Sequence, residues 1–307
     1  VTDTTANVYD IYRLDNNYGP DLSLSTINSI TGTKAQLSYF ATNYGQSDIT
    51  GLGNEALTVT DGSITVTEAN VLDGLTTGVV TATISTTSSS TLATLTGTGN
   101  AYTITVTDTT ATAANLNSID GATTVAVTAT AVTTITGTAS AVDTALSSSG
   151  ISGLGEEFVT LSGSTAVADA NTVSGKTTGT VTATITEGDV TTLKTLNETT
   201  NAYTITITDT TVAASDLATI DNLTSVAVNA SNVATLTGSI SVVTDIYTAN
   251  TAGTVSGLGN EAVTISDTTP AVSALNNLDG LTTGTINAAS IPTLSGTTAA
   301  LNTAYAS

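Results

Sequence analysis

Cysteine, histidine, methionine and tryptophan are all missing from this 307-residue chain. Without a thiolate or an imidazole there is no cysteine nucleophile, no serine–histidine pair, no haem ligation and no zinc site of the usual kind. Disulfides are excluded as well, and a chain without thiols is compatible with export. Basic side chains are nearly absent: Arg13, Lys34, Lys176 and Lys194 face 25 Asp and Glu, for a formal net charge of −21. A phosphate backbone needs basic neutralisation, so nucleic acid is excluded as a partner class. Anionic membrane surfaces are disfavoured for the same reason, and no run approaches the ~18 apolar residues of a membrane span. Two Phe and nine Tyr are thin aromatic supply for a core of this length. Disorder does not follow, because β-branched residues are abundant and proline occurs three times.

What is present repeats. Asn100–Asp120 reads NAYTITVTDTTATAANLNSID, and Asn201–Asp221 reads NAYTITITDTTVAASDLATID. A longer mark, TGLGNEALTVTD at Thr50, recurs as SGLGEEFVTLSG at Ser152 and SGLGNEAVTISD at Ser256. Fixed-period self-similarity is the signature of repeat architecture. It divides the chain into a partial repeat at 1–49, super-repeats at 50–151 and 152–255, and a partial third at 256–307, all expected to form one continuous stack. The opening VTDTTA recurs at Val106–Ala111, so the chain begins in mid-repeat. The expectation is a piece of a longer array, or a subunit cut in phase with its neighbours and associating head to tail.

Within the long period, alternating Thr/Val/Ile segments begin near Leu57, Val79, Tyr102, Val125, Val159, Val181, Tyr203, Val226, Val263 and Thr285. Alternation in YTITVTD places Tyr102, Ile104 and Val106 on one face and Thr103, Thr105 and Thr107 on the other, as a half-buried strand requires. Between strands, Ala113, Leu116 and Ile119 recur at helical spacing. The spacers TAVTTITG, SNVATLTG and ASIPTLSG are expected to form one or two helical turns closing on Gly137, Gly238 and Gly296. A unit of about 22 residues cannot bury its inner face alone, but it can when stacked on a copy of itself at ~4.8 Å per coil. The expected fold is therefore a β-solenoid of parallel stacked coils, one strand plus one short helical segment each. Tandem immunoglobulin-like β-sandwiches are the alternative, since the long period matches such a domain, although sandwich strands recur every ~8–12 residues.

Strings such as GLGNEAVTISDTTPAVSALNNLDGLTTG, and most of the chain from about Asp48 onward, resemble the Thr/Ala/Ser-rich arrays of very large surface or secreted proteins of marine bacteria, cyanobacteria especially. The resemblance implies an extracellular or cell-surface location and a structural or adhesive role. The expectation is a non-enzyme: a building block of a fibre, sheath or surface layer. A spacer or ligand-binding segment of a giant adhesin, with cell-surface glycans as partners, is the alternative. Outward Thr-x-Thr rows add an ice-binding solenoid as a further one.

Two groups of residues are candidate sites. Asp3, Asp61, Asp108, Asp209 and Asp267 occupy matching places after the strands, and Asp73, Asp120, Asp221 and Asp279 sit at the following corners. The first set suits helix N-caps for the turn that follows each acid, or a ladder of carboxylates that binds Ca2+ along the stack. The second set falls at helix C-termini, where the helix dipole disfavours an anion, and a bound Ca2+ would relieve that conflict. The other group crowds the start of the chain: Tyr9, Tyr12, Arg13, Tyr18, Tyr39, Phe40 and Tyr44, read as an end cap or an interface to a second copy. The carboxylate pairs Glu156/Glu157 and Asp216/Asp221 lack an aromatic sugar platform, which argues against glycosidase chemistry. The glycines of GLG are expected to turn the chain.

Overall fold

The structure, a computed structural model, describes residues 2–18, 22–43 and 49–306. It is an α/β fold with several small parallel sheets and, among the described residues, twelve helices. The chain divides into two compact units, Val1–Glu157 and Phe158–Ser307.

The first unit runs β1 (Thr5–Asn7), α1 (Val8–Tyr18), β2 (Ser29–Gly32), α2 (Lys34–Asn43), β3 (Ala56–Val59), α3 (Val66–Asp73), β4 (Val80–Thr83), α4 (Ser89–Leu92) and β5 (Ala101–Thr103). It continues with β6 (Thr110–Thr112), α5 (Ala113–Gly121), β7 (Val127–Thr128), β8 (Thr134–Gly137), α6 (Ala139–Ser147) and β9 (Ile151–Ser152). Strands β1 to β5 form one sheet in chain order, each parallel to the next. Parallel pairing demands a crossover, and each connection from β1 to β5 contains a helix. Register is set by apolar residues meeting apolar residues: Ile30 pairs with Leu57, Leu57 with Val80, and Ala82 with Tyr102.

The second unit runs β10 (Phe158–Thr165), α7 (Val167–Ser174), β11 (Val181–Ile185), α8 (Val190–Leu193), β12 (Ala202–Thr204), β13 (Thr211–Ala213), α9 (Ala214–Asp221) and β14 (Val228–Asn229). It ends with β15 (Thr235–Gly238), α10 (Ile240–Ala252), β16 (Val255–Ser256), β17 (Ala262–Ile265), α11 (Val272–Asp279), β18 (Ile286–Asn287) and α12 (Thr298–Ala306). Here Val212, Leu236, Val263 and Ile286 line up across β13, β15, β17 and β18. Every pairing in register within the two units is parallel, whereas a sandwich of the immunoglobulin type is antiparallel.

Alternation carries into burial as expected. Tyr102, Ile104 and Val106 are fully buried, while Thr103, Thr105 and Thr107 are exposed. In α5 and α9 the residues three apart, Ala113/Leu116/Ile119 and Ala214/Leu217/Ile220, are wholly buried. Each Leu or Ile removed from water in this way contributes about 1.5–3 kcal/mol. One expectation fails. The spacers closing on Gly137 and Gly238 are strands β8 and β15, not helical turns. The apolar spacing that suggested a helix joins a turn, closed by Val132 N–H on the Ala129 carbonyl, to the first inward residue of a strand, Ile135.

Candidate functional site

The first row of acids closes helix N-termini, but not those expected. A helix leaves its first N–H groups without intrahelical partners, and here each acid reaches back to a helix earlier in the chain. Asp209 accepts from Val190 N–H, the first residue of α8, at 2.7 Å, and Asp267 accepts from Ile240 N–H, the first of α10, at 2.7 Å. Asp61 accepts from Lys34 N–H of α2, and Asp108 from Ser89 N–H of α4. Glu187 does the same for Val167 of α7 at 3.0 Å. The expected caps for the following turn are thus corrected: the acids span 19 to 27 residues backward and tie adjacent segments together. Local caps come mainly from hydroxyls, as in the Thr65/Glu68 capping box of α3 and Ser88 of α4, and from the Asp189 carboxylate in α8. Asp3 is exposed and offers its main-chain carbonyl to Thr26 Oγ1 at 3.0 Å.

The second row does sit at helix C-termini, and three of its members have donors from later in the chain. Asp73 accepts from Asn100 Nδ2 at 2.8 Å, Asp120 from Ser148 Oγ at 2.7 Å, and Asp221 from Thr254 Oγ1 at 3.0 Å. Asp279, the last residue of α11, is exposed. Among the described residues no three or more acids gather in a way that could hold a metal ion.

Three recurring devices were not read from the sequence. The glutamate of each GLG-x-E mark is buried: Glu55, Glu157 and Glu261 are 2%, 3% and 1% exposed. Each folds back onto the second glycine, accepting from Gly53, Gly155 and Gly259 N–H at 2.8 Å. Both glycines of each mark lie at φ between 85° and 133°, so they turn the chain as expected. The second device is a helix asparagine that grips the main chain of the next segment. Asn70 donates to the Thr94 carbonyl and accepts from Thr96 N–H, and Asn171 does so to Thr195 and Asn197. Asn117 and Asn276 donate to the Ala141 and Ala300 carbonyls, both at 2.9 Å. The third is a threonine inserted into the ladder: Thr123 Oγ1 accepts from Tyr102 N–H and donates to its carbonyl, and Thr224 repeats this on Tyr203. The threonine-rich composition thus satisfies backbone groups. The readable signal for all three was recurrence at one place in successive repeats.

Burial pushes the hydroxyls of Tyr102, Tyr203 and Tyr247 upward, Tyr247 to about 12, with the Glu261 carboxylate reinforcing the last. A raised tyrosine pKa means that the folded state holds its proton after the unfolded chain has lost it. Stability is then complete below pH ~10 and falls as pH rises through the folded values, with a slope near 1.4 kcal/mol per pH unit for each such tyrosine. Urea titrations at pH 9, 10, 11 and 12 are expected to show this decline, and Tyr102→Phe to flatten it. At the acid end the Ser89 N–H holds Asp108 below the usual carboxylate range, and the Thr192 N–H does so for Asp189. Those contributions are present above pH ~4, lost on acidification, and small because both groups are only half-buried.

The aromatic residues gather across α1 and α2. Tyr12 meets Tyr39 edge-on with centroids 5.9 Å apart, and the Arg13 guanidinium lies 6.0 Å from the Tyr9 ring. Tyr9, Tyr12 and Tyr39 remain about half exposed, while Phe40 is buried. Val8, Tyr9, Tyr12, Gln36 and Tyr39 line a groove of about 370 Å³. The Tyr18 side chain and Tyr44 lie outside the described residues. Comparison with protein-family models, curated proteins and solved structures finds no match to the chain.

Proposed function

We propose that the chain is a non-catalytic structural repeat protein whose segments stack as a β-solenoid, serving as a building block of an extracellular fibre, sheath or surface layer. The observation that carries the reading is the direction in which polar side chains spend their hydrogen bonds. Acids, asparagines and threonines bond to segments about 20 to 30 residues away rather than converging on a cleft. Such nearest-neighbour bonding is what a stacked repeat needs. Head-to-tail association extends the same bonding from segment to segment into copy to copy.

At micromolar concentration the purified chain is expected to form long polymers of uniform width by negative-stain microscopy, and to sediment accordingly. A monodisperse species under those conditions would remove the polymer reading. The half-exposed tyrosine groove favours a second reading, a ligand-binding adhesin segment, since aromatic faces accept sugar rings. Saturable binding of surface glycans, abolished by Tyr12→Ala, would support it. Ca2+ on the acid rows belongs to the same proposal, and a melting temperature raised by Ca2+ and restored by EGTA is its check.

A further inference from the structure

Three stretches carry the same corner: TTATAANLNSIDGATTVAVTA from Thr109, TTVAASDLATIDNLTSVAVNA from Thr210, and TTPAVSALNNLDGLTTGTINA from Thr268. In the first, a strand arrives on the outer edge of β7. Val127 N–H donates to the Gly150 carbonyl at 2.8 Å, Ala129 N–H to the Ser152 carbonyl at 2.9 Å, and Ser148 Oγ to Asp120. In the second, β14 receives β16 alike: Val228 N–H donates to the Thr254 carbonyl, Ala230 N–H to the Ser256 carbonyl, and Thr254 Oγ1 to Asp221. The arriving segments are Gly150–Gly155, GISGLG, and Thr254–Gly259, TVSGLG.

The third corner is built the same way and, among the described residues, stays open. Strand β18 ends its sheet, paired only to β17. Val127, Ala129, Val228 and Ala230 are fully buried, whereas their counterparts Ile286 and Ala288 are half-buried, and Asp279 is exposed where Asp120 and Asp221 are half-buried. A cavity of about 420 Å³ lies here, lined by Asn276, Asp279, Gly284, Ile286, Ala288 and Ala304. These are the counterparts of Asn117, Asp120, Val125, Val127, Ala129 and Ala145 around the first corner. The cavity is therefore the space that an arriving strand fills in the other two.

We propose that the outer edge of β18 is a strand-acceptor site for an extended segment of the Gly-Ile-Ser-Gly-Leu-Gly type. The segment adds by main-chain bonding to Ile286 and Ala288 N–H. Its β-branched residue enters the cavity, and a hydroxyl upstream of it bonds to Asp279. The site deepens the stacking reading above and rests on it.

The test uses the full chain, ¹⁵N-labelled, and a synthetic acetylated peptide of residues 148–157 at up to millimolar concentration. Saturable shifts confined to the amides around Asp279 and Ile286–Ala288 are expected. Asp279→Ala, an exposed position, should weaken binding about 3- to 10-fold, and a peptide with proline in place of its serine (Ser152 in the chain) should not bind. Equal binding of a scrambled peptide, or shifts elsewhere on the chain, would overturn the site. Concentration-dependent protection of the same amides without peptide, unaffected by adding it, would assign the edge to a different surface of a second copy and overturn the segment assignment. Polymers without peptide binding at β18 would leave the structural role standing and remove the acceptor. Peptide binding by a chain that stays monodisperse would do the reverse.

Discussion

Glu261→Ala is expected to cost about 3–5 kcal/mol of unfolding free energy, more than any other single side-chain truncation at a polar position in the chain. The carboxylate is 1% exposed. It accepts from Gly259 N–H at 2.8 Å and from the buried Tyr247 Oη at 3.1 Å. Truncation takes this acceptor from the half-buried Gly259 N–H and from the buried Tyr247 hydroxyl, and a hydrogen bond to a charged group contributes about 1.5–3 kcal/mol. Glu261→Gln retains an acceptor and should cost less. Glu55 supplies the internal control. It bonds Gly53 in the same way, but its Oε1 finds no partner among the described residues, and Ala41 stands where the later repeat has Tyr247. Glu55→Ala should therefore be the milder change. Urea unfolding with an unchanged m-value measures all three. Equal losses for Glu55→Ala and Glu261→Ala would show that the tyrosine contact contributes nothing.

The second large effect separates two roles of glycine. Gly253 and Gly257 both have left-handed backbone, at φ 84° and 88°. A Cβ on Gly253 meets open space, whereas one on Gly257 lies 2.8 Å from the backbone N and Cα of Ser231. Gly253→Ala should cost the conformational penalty alone, about 1–2 kcal/mol. Gly257→Ala adds a backbone displacement between adjacent segments, of a further ~1–3 kcal/mol by analogy with overpacking. The pair is to be compared by the same titration. A difference below about 0.5 kcal/mol would mean that the segments are not held at contact distance here.

These residues also mark where sequence reading succeeds and fails. Strand faces such as Tyr102, Ile104 and Val106 were legible because burial of one sheet face writes itself into period two. Helix faces such as Leu116 and Ile119 were legible for the corresponding reason. Strands β8 and β15 were misread because a turn followed by one inward residue imitates helical spacing over so short a stretch. The first acid row was found but assigned to the wrong helix. Asp209 satisfies the rule that anions suit helix N-termini whether it faces forward or back, and only stacking decides the direction. The buried glutamates carried a signal, constant position behind two glycines, that charge-based expectation overrode, since an isolated glutamate is rarely buried. The tyrosine cluster was read as a group, yet not as the meeting of two helices.

The backward reach of Asp61, Asp108, Asp209 and Asp267 gives the chain a polarity. Peeling from the C-terminal side strips a counter-charge from the helix left behind, so that α10 without Asp267 keeps only the neutral Ser239 cap at its positive end. Peeling from the N-terminal side leaves only a hydrated aspartate, which water accommodates readily. Unfolding of segments should therefore run more easily in one direction than the other.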